Sequence, residues 1–210
     1  MRPNRPSAFT LLELLSVIAI IGVLAALIFP AVRSARVSAN KARTKVQFSQ
    51  WAAAMEGFRG EYGHYPALDP TALVNGGATT AHTGDHLFHD ILAGRKRDGT
   101  PLLPAGPAAT QNRKLISFHS FSDADFTNAS SPAPNLLCDA FDNTEIAVLV
   151  DRNLDGVIRV GSDYPALPAV GGLTPSATDF PVTGVRAGVL FYAPAPGADA
   201  TNPGFIFSWR

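Results

Sequence analysis

One apolar run near the N-terminus constrains this chain more than any other feature. Residues 9–29 are apolar apart from Thr10, Glu13 and Ser16, and a short polar stretch carrying Arg2 and Arg5 precedes them. Wound as a helix at about 1.5 Å per residue, residues 9–30 extend roughly 33 Å, enough to cross the hydrocarbon core of a bilayer. Arg2 and Arg5 favour a cytoplasmic N-terminus, whereas Arg33, Arg36, Lys41, Arg43 and Lys45 beyond the run argue the opposite way, so charge leaves the orientation open. Glu13 is the anomaly. A carboxylate in such a run costs about 2–3 kcal/mol near the bilayer centre and less toward the interface, and neither a secretory signal peptide nor a plain anchor accounts for it. On these features an export signal, an anchor and something more specialised all stay open.

The rest of the chain bounds the alternatives. With 210 residues, 46% hydrophobic and 16% charged, there is enough sequence for a domain with its own core in addition to this run. Basic and acidic residues balance at 17 each, so no charge excess points to nucleic acid and none is expected as a partner. Cys138 is the sole cysteine, which excludes an intramolecular disulfide and a metal site built on paired cysteines.

Past Pro30 the pattern becomes that of an amphipathic helix. Val37, Lys41, Thr44, Phe48, Trp51, Met55, Phe58 and Tyr62 recur at steps of three and four, with the apolar members gathered from Phe48 onward. The face from Phe48 to Phe58 should pack on a sheet, while the basic first half would be solvated or face another chain. Gly57, Gly60 and Gly63 should bring the helix to an end. Gly22 and Pro30 bracket the stretch where it should bend or loosen.

Residues 61–210 show little helical periodicity. One short helix is expected at residues 85–92 and a loop at 94–112, where Gly, Pro and charge accumulate. Residues 115–121, 145–150, 157–160, 185–192 and 205–209 read as short strands of an antiparallel sheet packed on the upper half of the long helix. The expected class is α+β: a long N-terminal helix, membrane-spanning then amphipathic, against a small antiparallel β-sheet head.

The stretch Ala8-Phe9-Thr10-Leu11-Leu12-Glu13, continuing through the apolar residues to Ala26, resembles the cleavage and methylation motif of type IV pilins and type II secretion pseudopilins. The resemblance implies a pilin-like fold divided into a leader at 1–8, a membrane-spanning and filament-core helix at 9–30, an amphipathic continuation at 31–60 and an extracytoplasmic head at 61–210. It implies cleavage between Ala8 and Phe9 by a prepilin peptidase, N-methylation of Phe9, and retention of the helix. Alanine stands at position 8 where the family usually has glycine; it keeps the site small, so slower processing is expected. The new amine, positively charged at neutral pH, is implied to pair with Glu13 of a neighbouring subunit, setting the axial offset between copies. The implied setting is a bacterial inner membrane crossed once, the head periplasmic or carried in the filament, with pilin-like subunits and an inner-membrane assembly platform as partners.

Weaker similarities follow further on. Glu61-Tyr62-Gly63-His64-Tyr65-Pro66 resembles the segment closing the long helix of major pseudopilins. Asp139-Ala140-Phe141-Asp142-Asn143 with the following apolar run, and Gly197-Ala198-Asp199-Ala200 before Ser208-Trp209, are similar to their Asp-Pro-Trp-Gly and Gly-Ala-Asp-Gly segments and terminal tryptophan. Major pseudopilins use calcium in a loop near the end, and Asp199 is the one acidic residue that matches it.

Two polar groupings suggest ligand chemistry. Asp151, Asn153 and Asp155, followed by Gly156, have the alternation of the first half of a calcium loop, although Ser162 with adjacent Asp163 stands where an EF-hand needs glutamate. The simpler reading is a β-hairpin turn between the flanking strand-like runs, since Asp-Gly needs no metal. His82, His86 and His89 fall at helix-like spacing near Asp85 and Asp90, and a solvated polar helix side is the expected reading over a zinc site. No catalytic residue is assigned and no enzyme is expected.

Overall fold

The structure, a computed structural model, describes residues 11–68, 70–76, 86–128 and 135–210, and of Leu27 the backbone alone. The chain divides into two units between Asn40 and Lys41. Helix α1 (Leu11–Tyr62) contributes to both and continues through Gly22 and Pro30 without interruption.

In the first unit no described side chain of α1 is buried. Leu11, Leu14, Ile18, Ile21 and Phe29 are all more than half exposed, as expected of a helix apolar on every side whose partner lies outside this chain. In the second unit the same helix acquires a buried stripe, and Phe48, Trp51, Met55 and Phe58 are fully enclosed. Gly63 ends α1: its φ is +79°, a conformation glycine adopts without strain, and its N–H donates to Arg59 O at 2.7 Å. Gly57 and Gly60, expected to help end the helix, lie inside it.

The head adds α2 (Leu87–Ala93), α3 (Pro107–Gln111) and a three-stranded antiparallel sheet in the order β1 (Ala147–Val150), β2 (Val189–Pro194), β3 (Phe205–Phe207). Ala147 faces Tyr192 across the first pair and Tyr192 faces Phe207 across the second. Residues 72–74 close the open side of β1, with Val74 N–H donating to Ile146 O and Val148 N–H to Ala72 O, both at 2.8 Å.

Alternation along the strands sends side chains to both faces. Val148, Val150, Phe191 and Ile206 join the aromatic stripe of α1, where the Phe48 and Phe191 rings stack at 5.6 Å. Ala147, Leu149, Leu190, Tyr192 and Phe207 meet a second core supplied by Ile158, Tyr164, Val170 and Phe180. The sheet is therefore covered on both sides, by α1 and by the long connection between β1 and β2.

Three expectations are corrected. Residues 115–121 form no strand: Leu115 takes φ +51°, and the N–H groups of Phe118 and His119 both donate to Leu92 O at the end of α2. Residues 157–160 make only single bridges, Ile158 to Val185 and Val160 to Tyr164, so the turn before them does not join a hairpin, and β1 pairs with β2 instead. The expected loop at 94–112 contains α3, whose first residue is a proline that needs no N–H partner there.

Candidate functional site

Ala8 and Phe9 lie outside the described residues. Glu13 sits in the first turn of α1, where a carboxylate suits the positive end of the helix dipole. The Ser16 hydroxyl donates to Glu13 O at 2.9 Å. Around Glu13 the helix presents leucine, isoleucine and valine, and its most apolar 18-residue window has mean hydropathy 2.8 with none of it buried. That surface suits an apolar medium, where a lone carboxylate is costly and a cation beside it offsets the cost.

The acidic turn after β1 closes on itself. Asp151, 2% exposed, accepts the N–H of Asp155 at 3.2 Å and of Gly156 at 2.6 Å on its two oxygens. Asn153 Oδ1 accepts the same Asp155 N–H at 3.0 Å, and Asp155 Oδ1 accepts Val157 N–H at 2.9 Å. The Arg159 guanidinium, donating to Asp155, holds that carboxyl below its usual range. Asp163, equally buried, accepts Arg152 N–H at 3.1 Å and Arg159 N–H at 2.8 Å and so staples the turn from its far side. Among the described residues no group of three or more His, Cys, Asp or Glu side chains is arranged to hold a metal ion. Asp199, in the β2–β3 connection, accepts the N–H groups of Thr201 and Asn202 at 2.8 and 2.7 Å, another turn closed by its own aspartate.

His86 and His89 are not on a solvated face; both are 5% exposed and Asp90 is 1% exposed. His82 and Asp85 lie outside the described residues. The Asn75 amide donates to Leu137 O at 2.8 Å and Thr144 O at 2.6 Å, so its oxygen receives His86 Nε2–H at 2.8 Å along with Leu137 N–H at 3.0 Å. That leaves His86 Nδ1 to accept His89 N–H at 3.4 Å, a neutral imidazole in one tautomer. His89 Nδ1 donates to Asp90 Oδ1 at 2.8 Å, and the rings of Phe121 and Phe126 close over His89 at 4.8 and 5.5 Å. Enclosed in this way the pair positions α2. Sequence spacing groups these histidines correctly but gives no sign of Asn75, eleven residues before His86.

The segment after Cys138 also serves the fold. Asp139 accepts Phe141 N–H at 2.8 Å and Asn143 N–H at 3.0 Å, while burial raises its carboxyl above the usual range against those hydrogen bonds. Gln47 of α1 reaches Cys138 O and Asp125 Oδ1, each at 3.0 Å, tying this turn to the helix. The largest chemical demand in the described molecule thus lies on the exposed apolar half of α1. Residues 3–29, spanning that half, match the family model of the prokaryotic N-terminal methylation motif. Comparison with curated proteins and with solved structures found no match.

Proposed function

Since the chain is a type IV pilin-like protein of the prepilin type, we propose that it is a structural subunit of a type II secretion pseudopilus or a related type IV pilus-like filament. Prepilin peptidase cuts between Ala8 and Phe9, Phe9 is N-methylated, and subunits assemble at an inner-membrane platform through α1, with the head on the extracytoplasmic side. The observation that carries this reading is the exposed, all-round apolar half of α1 with Glu13 in its first turn. Such a helix needs lipid before assembly and other apolar helices after it.

Within that class the sole cysteine favours a pseudopilin, because a loop closed by a disulfide cannot form. A type IV pilin for adhesion, motility or DNA uptake is the second reading. The reading as a membrane-anchored binding module or hydrolase, with a metal-dependent activity on the histidines, loses support from the burial of His86 and His89. Mass spectrometry of protein extracted from membranes tests the proposal: a mature N-terminus at methylated Phe9 is expected. An intact Met1, or a cut beyond Pro30, would sink it.

A further inference from the structure

The two flanks of α1 in the head differ in their balance of charge. Lys41 and Lys45, one turn apart, line a surface depression with Asp179, Phe205, Phe207 and Arg210. Arg43 and Gln47 stand roughly 200° around the helix from that pair and line a second depression with Asp125, Asp139 and Asp142.

On the first flank cations dominate. Lys45 Nζ donates to Arg210 O, and the Arg210 guanidinium meets Asp179, the one acidic side chain lining the depression, at 3.3 Å. Lys41 is exposed and makes no hydrogen bond or ion pair among the described residues.

On the second flank the carboxylates of Asp125, Asp139 and Asp142 outnumber Arg43, the one cation that lines it. Asp125 opens onto it, Asp123 of the same turn is fully exposed with only a 3.7 Å approach from Arg97, and Asp142 is exposed with its carboxylate unpaired among the described residues. Asp142 has φ +62°, so the turn holds this side chain outward at a conformational cost that aspartate bears better than most residues.

We infer that copies of this chain join head to head along the filament by a heterologous contact, the Lys41, Lys45 and Arg210 flank of one copy against the Asp123, Asp125 and Asp142 flank of the next. The inference rests on the filament reading and names the surfaces that reading leaves unspecified. The charge bias of each flank disfavours a two-fold contact through either one, which would set mostly like charges against each other, whereas a contact between the two flanks sets unlike charges together. A heterologous contact leaves one flank of each copy free for the next, and an open assembly follows when the rotation does not close. Exposed ion pairs are individually weak and screened by salt. Their part is to select orientation and offset, while the apolar half of α1 supplies the affinity.

The test uses full-length protein in membranes, mixed from isotopically light and heavy cultures and treated with a zero-length carbodiimide. Peptides joining Lys41 of one label to Asp142 or Asp123 of the other are expected. Lys41→Glu should lower the sedimentable assembled fraction about tenfold, and Lys41→Glu combined with Asp142→Lys should restore it to within about threefold of wild type. Loss of assembly on Glu13→Ala with Lys41→Glu unchanged within about twofold overturns this contact and leaves the filament reading standing. A loss that the double reversal does not rescue also overturns it. A processed wild-type protein that stays monomeric overturns both.

Discussion

The Tyr65 hydroxyl donates to Glu56 Oε1 at 2.6 Å, fastening the chain that leaves α1 back onto the helix. Arg59 Nη1 reaches both partners, 3.0 Å from the hydroxyl and 3.3 Å from Glu56 Oε2. Gly188, just before β2, lies against this pair, and a Cβ there would fall 1.9 Å from the hydroxyl and 2.2 Å from Glu56 Oε1. Gly188→Ala should therefore destabilise the head by about 1–3 kcal/mol. Urea unfolding of detergent-solubilised protein, followed by tryptophan fluorescence, would show an earlier midpoint; an unchanged one would mean that the pair is not closed against Gly188.

The same tyrosine gives stability an alkaline limit. Burial, then the hydrogen bond to Glu56, push the Tyr65 hydroxyl from 10.0 up to about 12, with Arg59 pulling it back. Between those values the folded state holds a proton that the unfolded state has lost, so stability falls as pH rises. The contribution is complete below pH 10 and gone above about 12. Tyr65→Phe should flatten the decline in unfolding midpoint across that window relative to wild type, and parallel profiles for the two proteins would refute the assignment.

The elements that patterning made legible were those whose side chains face a single environment. The buried stripe from Phe48 to Phe58 follows from residue periodicity, the exposed half of α1 from an unbroken apolar run, and β1, β2 and β3 from short β-branched or aromatic runs between turn residues. Residues 115–121 defeated it because two of their N–H groups are consumed by Leu92 O, a partner at the end of α2 that no local pattern reveals. The histidines failed for a similar reason: helix-like spacing says which side chains share a face, whereas Asn75, Phe121 and Phe126 decide that the face is buried. Pro107 before Ala108 and Ala109 was a readable start signal for α3 inside a stretch taken as loop. Of the candidate site, the apolar run and Glu13 were evident from the residues, but the charge asymmetry across α1 needed the head in place.

Asn75 should be among the most sensitive polar residues of the head. It is 7% exposed, and its amide serves Leu137 O, Thr144 O, Leu137 N–H and His86 Nε2–H at once. Asn75→Ala leaves these groups without that partner in the interior, at a cost of at least about 2 kcal/mol. Asn75→Asp keeps the oxygen but loses the amide donors, and should recover only part of that loss in the same urea assay.

The turn at Asp151 separates two sources of stability. Its aspartates spend their oxygens on backbone N–H groups, so a chelator should shift the thermal midpoint by less than about 1 °C, since a ligand that is not bound adds nothing to the folded state. Asp151→Ala should cost about 2–4 kcal/mol by removing two charge-assisted hydrogen bonds. A midpoint that climbs steadily with added calcium in wild type, and not in Asn153→Ala, would instead assign the turn to the ion.

Glu13 separates membrane insertion from assembly. Its helix carries enough exposed leucine, isoleucine and valine to enter a bilayer whether or not the carboxylate is present, and removing a charge lowers the cost of insertion. Between packed helices the balance changes, because a neighbour's amine at Phe9 would bury its own charge against the vacant position, and losing one member of a buried pair costs about 3–5 kcal/mol. Glu13→Ala should therefore fractionate with membranes as wild type does while its crosslinked multimers fall more than about tenfold. Glu13→Gln, which keeps the shape and removes the charge, should fail in the same way. If either variant assembles like wild type, the carboxylate does not set the offset between copies, and the apolar surface of α1 alone must do so.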